Sequence, residues 1–146
     1  MTDRREEILA RLTTLLGTVE GVAGAKRNTT EVPEKKRPFI IIYDGDEEAR
    51  DEAEQGKGRS ALKPTIMTMT PEVVVFDADK AVDVGTSLNA LRAKVIKAVL
   101  SDATLTKLAM GMRYQAISTG FALGRNIEGE GVMVFAFDYA LIPQEL

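Results

Sequence analysis

Seven acidic residues lie between positions 44 and 54, in the segment DGDEEARDEAE, and form a dense group of potential cation ligands. A calcium-binding loop takes oxygen ligands at alternating positions, a glycine at the sixth position and a glutamate at the twelfth. Counted from Asp44, the sixth residue is Ala49 and the twelfth is Gln55, so the two most discriminating positions fail. Because clustered acids repel one another and avoid burial, the spacing predicts a solvated segment rather than a calcium loop.

A second segment, GKGRSA at positions 56–61, has glycines spaced as in a phosphate-binding loop. A dinucleotide fingerprint needs a strand directly before it and a helix directly after it. Here an acidic segment precedes the glycines, and Pro64 stops any helix that would follow. The context argues against a nucleotide site, and we expect no cofactor.

Histidine and cysteine are both absent from the chain. Without cysteine there are no disulfides, thiolate zinc sites or cysteine nucleophiles. Without histidine the usual base near neutral pH is missing. Asp77 and Asp79 end a predicted strand, where turn residues are expected anyway. We therefore expect no catalytic or metal site, although a magnesium-dependent enzyme using Asp44, Asp46 or Glu48 remains an open alternative.

The composition indicates a single domain over residues 1–146. Hydrophobic residues make up 45% of the chain and charged residues 28%, as in globular proteins. The net charge of -3 gives no general attraction to nucleic acid or anionic lipid. The sequence has no signal-peptide pattern and no apolar run near the roughly 20 residues that a membrane span requires. We expect a protein made in the cytosol that has no membrane partner.

Hydrophobic periodicity predicts two main helices. The first follows Asp3, which can form a reciprocal N-terminal cap with Glu6, and the second is capped by Thr86 or Ser87. The apolar stripes are Ile8, Leu9, Leu12, Leu15, Leu16 and Val19 in the first helix and Leu88, Leu91, Val95 and Val99 in the second. The segment ATLTKLAM, at 103–110, predicts a further short helical turn.

Extended segments are predicted at 25–28, 39–43, 63–76, 112–121 and 132–141. The second has the composition of a strand buried on both faces, and Pro71 in the third must lie at an edge, a bulge or a break. Glycines between the last two predict a hairpin with a mobile tip. The order of elements predicts an α+β fold: two main helices packed on one face of a mixed, largely antiparallel sheet of about four to five strands.

A long polar excursion is predicted at about residues 45–63, with acidic residues first and basic residues after them. Loops of this length in compact domains are usually either functional or disordered, and both alternatives stay open. Adjacent blocks of opposite charge would suit contact with a neighbouring copy of the chain. The candidate interface residues are Asp46, Glu47, Glu48, Asp51, Glu52, Lys57, Arg59, Lys63 and, in the last hairpin, Arg125.

Six phrases span nearly the whole chain: REEILARLTTLL, GAKRN, RPFIIIYDGDEE, PEVVVF, LNALRAKVIKAVL and GRNIEGEGVMVFAFDYAL. With the order of elements, they resemble the tail terminator proteins of long-tailed bacteriophages, the minor tail protein U family. The resemblance implies a non-catalytic protein that forms a hexameric ring on the head-proximal end of the tail tube. The ring would stop tube polymerisation and offer a docking surface to the head.

The resemblance also implies a set of partners and a location. The partners would be other copies of the chain, the tail tube protein and a head-completion or neck protein, and genomic DNA would pass through the ring without sequence-specific binding. The protein would assemble in the host cytoplasm and stay at the head-proximal end of the virion tail. Another head-tail joining or neck protein, or a small ligand-binding regulatory domain, are the alternatives.

Overall fold

The computed structural model describes residues 3–31, 38–50, 63–79, 84–123 and 127–146. Within these ranges the helices are α1 (Arg4–Leu16), α2 (Val84–Leu100) and α3 (Ala103–Leu108), and a 3-10 turn covers Pro143–Glu145. The strands are β1 (Gly24–Arg27), β2 (Phe39–Ala49), β3 (Thr65–Asp79), β4 (Gly111–Leu123) and β5 (Ile127–Leu141). None of the described helices has the length and apolar character needed to cross a membrane.

All five strands belong to one sheet, in the order β1-β2-β3-β5-β4. β1 is parallel to β2, and the other neighbouring pairs are antiparallel. β3 and β5 therefore form the centre of the sheet, whereas β1 and β4 are its edges. The predicted α+β fold, with a mixed, largely antiparallel sheet and two main helices, is confirmed.

The core lies between the helices and one face of the sheet. The helices contribute Ile8, Leu9, Leu12 and Leu16 from α1, Leu88, Leu91, Val95 and Val99 from α2, and Leu105 from α3. The sheet contributes Ile40, Ile42, Met69, Val73, Val75, Met133, Phe135, Phe137 and Tyr139. Fully burying one such side chain contributes about 1.5–3 kcal/mol. The predicted stripe of the second helix is thus confirmed as core. In the first helix Leu15 is only half-buried, and Val19 lies beyond the end of α1 at Leu16. The apolar face of the last strand is confirmed except for Leu141, which is half-buried.

The N-terminal cap of α1 contains one of the two predicted side-chain hydrogen bonds, the one accepted by Asp3. Asp3 Oδ1 accepts a hydrogen bond from the Arg5 amide nitrogen at 3.1 Å, which confirms Asp3 as the cap. Glu6 does not reach back to complete the pair, because its carboxylate accepts hydrogen bonds from the Arg27 guanidinium. A charge-assisted pair between Glu6 in α1 and Arg27 in β1 replaces the predicted hydrogen bond between Glu6 and the helix N-terminus.

The predicted cap of α2 is wrong. The helix begins at Val84, so Thr86 and Ser87 lie inside its first turn. Ser87 instead donates its hydroxyl to the carboxylate of Asp77, which is only 6% exposed at the end of β3. A buried carboxylate without a hydrogen-bond donor is costly, so this contact gives the serine a tertiary role.

The polar excursion was predicted to begin at about residue 45, which is too early. β2 continues through residues 45–49 and pairs with β3. The register shifts where Asp44 and Gly45 lie opposite the single residue Pro71, which makes this point a β-bulge. Gly45 has a φ of +69°, a conformation that favours glycine. Pro71 has no amide hydrogen to lose, so a bulge is one of the positions it tolerates. The rest of the excursion, 51–62, lies outside the described residues.

The predicted hairpin of β4 and β5 is confirmed, and both strands are longer than predicted. Gly129 lies within β5 rather than at the tip. A Cβ atom at this position would come within 2.6 Å of Leu88 Cδ1, so the glycine allows α2 to pack close to the sheet. The prediction of a mobile tip falls on residues 124–126, which are outside the described ranges.

We expect Gly45→Ala to lower the free energy of unfolding by at least about 2 kcal/mol. The left-handed backbone conformation alone costs a non-glycine residue roughly 1–2 kcal/mol, and the new Cβ would overlap the Thr70 carbonyl oxygen. Chemical denaturation followed by circular dichroism measures the change. The matched control is Gly120→Ala in β4, where nothing lies within 4 Å of the added atom. Equal losses in the two variants would contradict the assignment of a strained bulge.

Candidate assembly surface

The sheet face opposite the helices is open along β4 and over parts of β3 and β5, whereas Val74 and Ala136 on the same face are buried. Because side chains alternate along a strand, the neighbours of the core residues point to this face. The ones that form its open part are Thr70 and Glu72 on β3, Glu130, Val132 and Val134 on β5, and Ala116, Ser118 and Gly120 on β4. All are exposed or half-buried, and most are small or β-branched. We call these residues the open sheet face.

Over β2 the same side of the sheet is covered. Phe39 and Ile41 point to this side, yet they are only 2% and 1% exposed. The chain that leaves β1 lies here, since the Thr29 carbonyl accepts a hydrogen bond of 3.0 Å from the Tyr43 hydroxyl. The open sheet face is therefore confined to the side of the molecule that ends at β4.

β4 forms the outer edge of the open sheet face. This strand of 13 residues pairs with β5 on one side, and on its other side no described strand pairs with it. Natural edge strands usually resist further pairing because they are short or carry proline, lysine or other charges. The β4 sequence GMRYQAISTGFAL has one charge, and Arg113 is bound to Asp138 with Nη1 2.7 Å from Oδ2. One register shift, at Gln115, is the interruption within the strand.

Four acidic side chains border this surface. Glu72 and Glu130 lie on the open sheet face, and Asp46 and Glu48 lie on the same side of β2. All four are exposed, and none forms an ion pair within the described ranges. Asp46 and Glu48 were predicted to lie in a loop, but they belong to a strand that extends the acidic border across the sheet.

Glu47, another predicted interface residue, points to the helix side. Its Oε2 lies 3.3 Å from Arg5 Nε, an ion pair that lacks the alignment of a hydrogen bond. The nearby Tyr139 hydroxyl is buried and has no hydrogen bond of good geometry to described residues. Burial, with the Glu47 carboxylate as a second cause, raises the pKa of Tyr139. The alternation that exposes Asp46 and Glu48 thus turns Glu47 inward.

Asp44 is bound by Arg27. Arg27 Nε and Nη2 donate to the two Asp44 carboxylate oxygens at 2.6 and 2.9 Å, and these hydrogen bonds lower the pKa of Asp44. Asp46 and Glu48 lie apart from this pair on the open side of β2. Over the ranges that the structure describes, no group of three or more acidic, histidine or cysteine side chains could hold a metal ion. The magnesium alternative gains no support from this geometry.

The outer surface of α2 and α3 has the opposite charge. Lys94, Lys97 and Lys107 are exposed there, and α2 contains no acidic residue. Asp102, which precedes α3, is neutralised by Arg11, whose Nε and Nη2 donate to it at 3.0 and 2.6 Å. We call the three lysines the basic helical surface. Beside it, a groove of about 290 Å³ is lined by Val19, Glu20, Lys94, Lys97, Ala98 and Ser101.

The remaining predicted interface residues are less informative. Lys63 is exposed just before β3. The other five, Asp51, Glu52, Lys57, Arg59 and Arg125, lie outside the described residues. The structure adds Glu72 and Glu130, which were not predicted. The signal for them was present in the sequence, since each acid occupies an outward position beside buried residues of an alternating strand.

We expect the protein to lose stability in acid because Asp44, Asp102 and Asp138 are ionised and bound in the folded state. Arginine hydrogen bonds lower the pKa of Asp44 and Asp102. Burial opposes the decrease at Asp138, but hydrogen bonds from neighbouring side chains outweigh burial and lower its pKa as well. The unfolded carboxyls, with a pKa of about 3.9, take up protons first as the pH falls. The contribution is complete above about pH 5 and is lost as the pH falls through the folded pKa values.

Denaturation at a series of pH values between about 7 and 3 measures this loss. Asp102→Asn removes one of the three titrations and should give a smaller decrease in the free energy of unfolding over the acid part of the range. An Asp3→Asn variant is the control, since it also removes a capping carboxylate. If the slope of Asp102→Asn matches that of the unmodified protein, the Arg11 pair makes no contribution.

The comparisons with known proteins add no relative to these observations. No protein-family model matches the chain, and no curated protein matches it. The open sheet face, the β4 edge and the charged surfaces are therefore the features that bear on function.

Proposed function

We propose that the protein is a structural component of a bacteriophage tail, the tail terminator. Copies of it form a ring, expected to be hexameric, that caps the tail tube, ends tube polymerisation and provides the docking surface for the head. Its partners are further copies, the tail tube protein and a head-completion or neck protein. DNA passes through the ring without sequence-specific binding. The protein acts in the host cytoplasm and then at the head-proximal end of the tail, and it catalyses no reaction.

The observation that carries this proposal is the open sheet face with its unguarded β4 edge. A strand of 13 residues with one internally paired charge offers to another chain the backbone groups that pair with no described strand. The opposite edge, β1, is a different strand of only four residues. Because the two edges of one copy differ, they favour a heterologous contact, in which one surface of a copy meets a different surface of the next. Such contacts form a closed ring when the rotation from copy to copy adds up to a full turn.

The order of elements also favours the terminator. A first helix, three strands, a second helix and a final hairpin are the layout on which the resemblance rests, and the structure has this layout. A head-tail joining or neck protein of similar size would share the same surfaces. Removing the gene separates the two roles, because abnormally long tail tubes are expected for a terminator and tails of normal length for a neck protein.

The first test is the solution mass, measured by light scattering over a concentration series and followed by negative-stain imaging. We expect a ring with a mass near six times 15.9 kDa. A protein that remains monomeric should form rings when tail tubes are added, since assembly can require that template. A stable dimer, or a monomer that forms no ring on tail tubes, would contradict the proposal.

We expect Ser118→Lys with Thr119→Lys to prevent self-association without unfolding the protein. Both residues are exposed on the edge strand, and edge lysines oppose the approach of another chain. Ala10→Lys with Thr14→Lys makes the same change of charge at exposed positions of α1, away from β4 and from the outer surface of α2 and α3, and should leave association intact. Circular dichroism verifies folding, and light scattering measures association. Rings formed equally well by both variants would show that the β4 edge is not used.

The groove beside α2 favours a second candidate, a small ligand-binding regulatory domain. Lys94 and Lys97 line the groove and could bind an anionic metabolite. A specific ligand at a hundred times its dissociation constant should stabilise the protein by about 2.7 kcal/mol, which a thermal-shift screen detects. A hit that is lost in Lys97→Ala would favour this candidate over the terminator.

A further inference from the structure

We infer that the open sheet face of one copy is covered by the basic helical surface of the next copy. The inference rests on the proposed function, because it names the contact by which copies would join. It commits to one occupant, a second copy of the chain, and the two contacting surfaces are both present on every copy.

Charge complementarity is the first step. Asp46, Glu48, Glu72 and Glu130 place four exposed acids on the sheet side. Lys94, Lys97 and Lys107 place three exposed bases on the helix side. Of the acids near them, Asp102 is neutralised by Arg11, and Glu20 is exposed in the adjoining groove. None of these seven side chains forms an ion pair in the described part of the chain. Complementary patches of this kind steer association and reject wrong partners.

The shapes of the two surfaces also agree. Ala116, Ser118 and Gly120 have small side chains, so nothing protrudes from the sheet at these positions of β4. The half-buried Val132 and Val134 lie beside them. On α2 the exposed positions in the turn before Lys94 include Ala90 and Ala93, so the helix has small side chains where it would approach a sheet. Helix against sheet is the same layer packing that the chain uses in its own core.

The placement of the two surfaces sets the kind of assembly. The helices cover one face of the sheet, and the acidic border lies on the other, so the surfaces face away from each other within one copy. A copy cannot satisfy its own surfaces, and a twofold dimer would set like charges against each other. The contact is therefore heterologous, and copies add head to tail until the rotation per step closes the ring.

The test uses two charge-reversed variants of the full chain and their mixture. Lys94→Glu with Lys97→Glu reverses the helical surface, and Glu72→Lys with Glu130→Lys reverses the sheet face. Each variant alone should self-associate at least about tenfold more weakly than the unmodified protein, because like charges then meet at every contact. An equimolar mixture should recover association, since each reversed surface finds its complement on the other variant. Sedimentation velocity measures all of these samples.

Salt and a matched control complete the experiment. Raising the salt from about 50 to 500 mM should weaken association of the unmodified protein about tenfold, because exposed charges are screened. Arg4→Glu with Lys26→Glu changes the net charge equally, away from both surfaces, and should associate normally. Variants that associate as well as the control, or a mixture that does not recover association, would overturn the inference. So would loss of DNA binding in Lys94→Glu with Lys97→Glu while self-association is unchanged, since the lysines would then belong to a nucleic-acid contact.

The inference and the proposed function fail in different ways. Rings that persist in both reversed variants would reject this contact and leave the terminator proposal intact. Recovery on mixing that yields open filaments or other forms without rings, including on tail tubes, would support the contact and reject the terminator. An unmodified protein that does not associate at its highest soluble concentration would overturn the inference directly.

Discussion

One-sided burial of the sheet is the constraint on which the rest of the structure depends. Side chains on β3 and β5 alternate, and α1 and α2 cover only the face that carries Val73, Phe135 and Phe137. The described residues therefore form one well-packed core, and the opposite face stays exposed along β4 and at Glu72 and Glu130. Both the identity of the core and the availability of the surface follow from this alternation.

The β-bulge at Gly45 determines how the acidic segment is used. It lets β2 continue past Pro71, so residues that would otherwise lie in solution become part of the sheet. Along this extension Asp46 and Glu48 face outward, whereas Glu47 faces the helices and pairs with Arg5. A single glycine with a left-handed backbone therefore decides which acid pairs within the fold and which acids stay exposed.

Local patterns in the sequence predict most of the helices, strands and core residues, but they predict few of the residues that form the open sheet face and the charged surfaces. The stripe of α2 and the alternation of β5 predict their core faces directly, because both patterns repeat with the period of the element. The extent of β2 was underestimated because acids and glycine are poor strand formers, and only pairing with β3 keeps them extended. The contacts of Glu6 with Arg27 and of Ser87 with Asp77 join segments distant in sequence, so no local spacing reveals them. The acidic border required knowledge of which strands are neighbours.

The central pairing of β3 with β5 has a consequence for how the protein is made. Thr65 pairs with Leu141, so the two middle strands come from distant parts of the chain, and the sheet cannot close until β5 has left the ribosome. Before that moment β4 has no neighbour to hold it, and the edge and face described above do not yet exist. The order of synthesis thus delays the open sheet face until the core that supports it is complete, so chains that still lack β5 do not present it.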